Sequence, residues 1–116
     1  MTIQRLHSGK RISRVVIHKD TVYLAGIVPL GKRGAPVKEQ TEDVLASIDR
    51  LLAQAGTDKT RLLSANVWLA DIRDAEVMNE VWENWVPDDC APARATVESR
   101  LPSPLYAIKV AVIAAR

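Results

Sequence analysis

Residues 106–115 read Tyr-Ala-Ile-Lys-Val-Ala-Val-Ile-Ala-Ala, an apolar run interrupted only by Lys109. Ten residues are too few to span a bilayer, which takes roughly 20. Continuous rather than alternating apolarity predicts a central strand covered on both faces. One cover has to come from helices and the other from a partner, because a chain of 116 residues cannot wrap a sheet twice.

Two segments have the helical period that could supply the first cover. Over 38–55 the apolar residues Val44, Leu45, Ile48, Leu51, Leu52 and Ala55 form one stripe, and Gly56 stands where a left-handed cap ends a helix. Over 74–86 the stripe is Val77, Met78, Val81, Trp82 and Trp85, with Asp74 placed to cap the start and Pro87 to stop the end. Residues 14–18 and 21–25 are short β-rich runs around Lys19-Asp20 and predict a hairpin. Over 63–69, Leu63, Ala65, Val67 and Leu69 alternate with Ser64, Asn66 and Trp68, as a half-buried strand does. The stretch 31–36 is a loop by its glycines and proline. The predicted order is two or three strands, helix, strand, helix, two strands in a single domain over residues 1–116. It describes an α+β fold: one mixed sheet with both helices on one face and the other face left for symmetric association.

Composition narrows the partners. Sixteen basic and fourteen acidic side chains give a net charge of +2, interspersed along the chain. A nucleic-acid partner is therefore unexpected, since such proteins gather basic residues on one face. One cysteine, Cys90, excludes an internal disulfide and suits a reducing compartment. The first residues lack the apolar stretch of a leader, so a cytoplasmic protein without membrane contact is expected. His7, His18 and Cys90 lack the spacing of metal ligands, and no cofactor motif is present, so neither metal nor cofactor is expected. Cys90, after Asp88-Asp89, is read as a loop residue, and the tryptophans as packing residues.

The segment Ala91-Pro92-Ala93-Arg94-Ala95-Thr96-Val97-Glu98 places an arginine at the start of an alternating run. Arg94, Thr96 and Glu98 then share one strand face. A guanidinium offers a planar, bidentate match to a carboxylate and keeps its charge at any relevant pH.

Gly26 with Pro29, Gln40-Thr41, Ala55-Gly56, Leu69-Ala70-Asp71, Met78-Asn79-Glu80-Val81-Trp82, Pro92-Ala93-Arg94 and Ile113-Ala114 occur in the order that resembles the RidA/YjgF family, also labelled L-PSP endoribonucleases. Val16-Ile17-His18 and Trp82-Glu83-Asn84-Trp85-Val86 are most similar to its YoaB-like branch. The resemblance implies a chorismate-mutase-like fold and a homotrimer whose sheets line a central barrel, with clefts between subunits. It implies that Arg94 binds the carboxylate of a 2-imino or 2-enamino acid, which water converts to a 2-keto acid and ammonia. Backbone N–H groups near Gly26 and Thr96 would complete the anion clamp. The family's usual glutamate, serine and tyrosine fall on Ala111, Ala25 and about Ile12, and its cysteine on Thr96. Glu98 is then the candidate to orient water.

Two functions follow from different classes. One is an enamine/imine deaminase; the alternative is a non-catalytic trimer that binds small carboxylates such as 2-keto acids at the same clefts. Arg94 serves both, and only the first needs a group that orients water. Ribonuclease activity, suggested by the older family label, is a poor third given the dispersed charge and the lack of a histidine pair.

Overall fold

The computed structural model describes residues 2–116. Its C-terminal run forms strand β6 (Ile108–Ala115), placed inside the sheet between β3 (Thr21–Leu24) and β4 (Leu62–Leu69). With β1 (Ile3–Ser8), β2 (Ser13–His18) and β5 (Ala93–Glu98) the spatial order is β1-β2-β3-β6-β4-β5. Neighbouring strands are antiparallel except β4 and β5, which run parallel, so the sheet is mixed as predicted.

Along β6 the faces separate. Ile108, Val110, Val112 and Ala114 are buried under the helices, whereas Lys109, Ala111, Ile113 and Ala115 are half-buried on the opposite side. Val15 and Ile17 of β2, Val22 and Leu24 of β3, and Ala65, Val67 and Leu69 of β4 join the first set. Helix α1 (Val37–Gln54) lays its predicted stripe on this floor, with Val44, Leu45, Ile48, Leu51 and Leu52 all buried. Gly56 follows with φ of 81°, the left-handed conformation expected of it. Helix α2 (Ala75–Trp85) packs beside α1 and buries Met78 and Trp82. The second sheet face has no cover in the single chain. Tyr23 is 42% exposed there and Val97 49%.

Three local expectations are corrected. Asp74 precedes α2 but its side chain caps nothing; the cap falls to Asp71, which accepts from the Arg73 N–H at 2.9 Å and starts a 3-10 turn over Ile72–Asp74. A register shift between Leu62 and Ser64 turns Leu62 inward and leaves Leu63 52% exposed, because a bulge moves the alternation by one residue. Val77 is exposed, since α2 rests on Met78 and Trp82 and turns Val77 toward a groove between the helices. The N-terminal strand gives no periodic signal because it is an edge on which only Leu6 packs against the core; pairing with β2 and a His7–Gln54 hydrogen bond to α1 hold it.

Gln40 is 2% exposed and fully engaged. Its amide nitrogen donates to the Ala35 and Leu105 carbonyls at 2.8 and 2.9 Å, and its oxygen accepts from the Ala107 N–H at 2.7 Å. One side chain thereby joins the start of α1 to the segment that leads into β6. Gln40→Leu keeps the volume but removes three part-buried hydrogen bonds to the backbone, so it should cost about 3 kcal/mol in urea unfolding. A loss below about 1 kcal/mol would mean that water replaces the amide without penalty.

Candidate functional site

Arg94 lies on β5, the edge strand, opposite Ala65 of β4 and on the helix-covered side. The edge position leaves the residue exposed, while α2 supports its side chain from below. The guanidinium carbon is 5.2 Å from the Trp82 ring centroid, Nη2 donates to Asn79 Oδ1 at 2.8 Å, and Nη1 lies 3.8 Å from Met78 Sδ. Met78, Asn79 and Trp82 are spaced to stand on one face of α2, which is why three contacts converge on one arginine. No carboxylate answers the charge: among the described residues the sole ion pair joins Arg73 to Asp71, at 2.7 Å. Arg94 Nε has no protein acceptor among the described residues. The result is an exposed, oriented cation that no acid pairs with among the described residues.

Glu98, two residues on, does not pair with Arg94. Its Oε1 accepts from the Ile72 N–H at 3.0 Å, tying β5 to the 3-10 turn before α2. In the same turn Asp71 hydrogen-bonds the Arg73 side chain and N–H, which holds its carboxyl down to about 2. Thr96 faces the helix side as the strand period predicts; its Oγ1 is buried and has no partner among the described residues.

Gly26 is elsewhere. It follows β3, from which β6 and β4 separate β5, and it borders the uncovered sheet face. A Cβ on Gly26 would come within 2.9 Å of Lys109 Cδ, so the missing side chain makes room for the lysine stem. Lys109 Nζ in turn lies 4.8 Å from the Trp68 ring centroid. Within one chain, then, Arg94 and Thr96 share a face and Gly26 belongs to the other. Ala111 lies next to Lys109 on that second face, opposite Asn66. Ile12 is 58% exposed in the turn between β1 and β2, beyond β2 from the rest. Ala25 donates its N–H to the Arg14 carbonyl at 3.0 Å. Cys90 is a half-buried loop residue between α2 and β5.

The sequence singles out no partner for Arg94, and the structure makes Asn79 its hydrogen-bond acceptor. Trp82 is packed, as expected, and also stacks on Arg94. A signal was present in the 78, 79, 82 spacing, but nothing in the sequence says which strand α2 faces. A groove of about 500 Å³ between α1 and α2, lined in part by Lys38, Glu42, Val77 and Trp85, contains neither Arg94 nor Gly26. No cluster of three metal-capable side chains occurs among the described residues, and no helix is long and apolar enough to cross a membrane.

Fold and site together define a single-sheet α+β domain with an arginine on its edge strand that pairs with no acid among the described residues. The family described as Endoribonuclease L-PSP matches residues 2–116, and the chain belongs to it, that is, to the RidA/YjgF family. A RutC family protein of Haemophilus influenzae is 41% identical over 114 residues, covering 98% of each chain. The RutC family protein YoaB of Escherichia coli is 39% identical over 115 residues, covering 99% of each. Among solved structures, a YjgF family member from Neisseria meningitidis superposes with a TM-score of 0.93 at 39% identity, covering 100% of this chain and 96% of its own.

The Gly26–Lys109 contact predicts a coupled pair. Gly26→Ala should destabilise the fold by about 1 kcal/mol by lifting the lysine stem off Trp68, and the loss should shrink to a few tenths when Lys109 is first replaced by alanine. Equal losses in both backgrounds, measured by urea unfolding, would show that the glycine serves something other than the lysine.

Proposed function

We propose that the protein is an enamine/imine deaminase that hydrolyses 2-imino and 2-enamino acids to 2-keto acids and ammonia. The observation that carries the reading is Arg94: a guanidinium braced by Trp82 and Asn79, paired with no acid, and open on its outer edge. A carboxylate docking there is recognised by two parallel N–H donors. The positive charge then draws electron density from the adjacent C=N carbon. Water oxygen adds at that carbon, its proton passes to nitrogen, the C–N bond breaks, and ammonia leaves as the carbonyl forms. Glu98 is the carboxylate on the strand of Arg94 that could take the proton, with Oε1 already anchored by the Ile72 N–H. Thr96, on the same face, lines the pocket. A more distant relative, the chloroplastic Reactive Intermediate Deaminase A of Arabidopsis thaliana, is 30% identical over 91 residues, covering 74% of this chain and 48% of its own, and its name supports the same chemistry.

In this reading the catalytic unit is a homotrimer. Val16, Tyr23, Trp68, Val97 and Ile113 make the uncovered face apolar enough to be buried against other copies. Gly26 and Arg94, on opposite faces of one chain, then meet in a cleft only when different copies supply them. Light scattering on the eluting protein should give about three times the 12.8 kDa chain mass, and a stable monomer would remove the cleft.

The second reading, a trimer that binds 2-keto acids without turning them over, is favoured by Ala111, which brings no ionisable group to the second face. Loss of a general acid or base costs about 10²- to 10⁴-fold in rate. The two readings separate in one assay. Amino-acid oxidase generates 2-imino acids in the presence of semicarbazide, and the protein should divert imine from semicarbazone to keto acid. Arg94→Ala should lose the diversion by about 10²-fold or more, because an interaction made to the reacting anion disappears. Keto-acid binding without diversion, across a panel of side chains, would establish the second reading.

A further inference from the structure

Lys109 is the one charged residue in the C-terminal run, and its charge has no counter-ion among the described residues. Trp68 stands opposite it on β4, with its ring 4.8 Å from Nζ, and Gly26 leaves the space that the stem occupies. Ring and glycine together hold the ammonium in place rather than letting it wander in solvent. None of the strand residues that alternate onto this sheet face is Asp or Glu. The side chain is already half-buried in a single copy. Covering the face with another copy removes further water from an ammonium that no carboxylate compensates, a costly state unless an anion joins it. Beside it runs a row of small and amide residues, Ala111, Asn66 and Ala95, which leaves room and supplies a hydrogen-bonding group.

We propose that Lys109 is a specificity-determining residue that holds a second acidic group of the ligand, so that the cleft takes 2-imino and 2-oxo dicarboxylates in preference to monocarboxylates. The proposal rests on the reading of Arg94 as the site of the first carboxylate. In that arrangement Lys109 enters the cleft together with Gly26, facing the Arg94 of a neighbouring copy. Two cations then face each other across the cleft, with Glu98 on the Arg94 side and no acid on the strand face of Lys109, and a ligand with a negative group at each end answers both cations.

Titration calorimetry of the full chain with pyruvate and 2-oxobutyrate, and with oxaloacetate and 2-oxoglutarate, tests it. The dicarboxylates should bind at least about tenfold more tightly than the monocarboxylates, the gain expected of one added charge-assisted contact. Lys109→Met should bring the ratio to within about twofold, and Lys109→Arg, which keeps the charge, should preserve it. Light scattering confirms that each variant keeps the mass of the wild type. Equal affinity for the two classes in the wild type overturns the proposal, as does a ratio that Lys109→Met leaves unchanged. If monocarboxylates bind through Arg94 without preference, only the assignment of Lys109 falls. If neither class binds in a manner that Arg94→Ala abolishes, the carboxylate site falls with it.

Discussion

The alternation of β6 divides the molecule, and both the packing and the site depend on it. Ile108, Val110, Val112 and Ala114 meet α1 and α2, while Lys109, Ala111 and Ile113 face a side that the chain leaves open. A strand with apolar residues on both faces is stable only if both are removed from water. The helices meet half of that requirement. In the proposed assembly further copies meet the other half, and the functional groups then lie at the border between copies rather than in a closed pocket.

The position of the arginine follows from the same division. An edge strand has one side free, so β5 can present Arg94 outward while α2, packed on the helix side, supports it with Trp82, Asn79 and Met78. The guanidinium is thus oriented before any ligand arrives, which lowers the entropy lost on binding. Gln40 acts at a distance from this site. It joins the start of α1 to residues 105–107, the segment that leads into β6.

Much of this was legible in the sequence. The two helices, the central strand, the hairpin and the mixed sheet follow from periods of 3.6 and 2 and from Gly56 and Pro87, which mark boundaries by backbone geometry. Arg94 stood out because a charged residue at the start of an alternating run needs a reason. The missed features depend on long-range placement. Asn79 became a partner of Arg94 because α2 crosses β5, and Lys109 met Gly26 because β3 and β6 are neighbours; local spacing encodes neither. Leu63 was misassigned because a bulge shifts alternation without changing composition. The first strand is silent because an edge with one half-buried residue, Leu6, leaves no period to read.

In the proposed assembly one functional cleft draws Arg94 from one copy and the Gly26–Lys109 surface from another. Co-refolding of Arg94→Ala and Lys109→Met chains tests it directly, with affinity for 2-oxoglutarate as the readout. If the residues come from different copies, every mixed ring contains a cleft that pairs an intact Arg94 with an intact Lys109, and wild-type affinity should reappear at a fraction of the sites. If both belong to one copy, no mixture can restore the pair. A mixed assembly of unchanged mass that binds no better than either variant alone would rule out a cleft shared between copies.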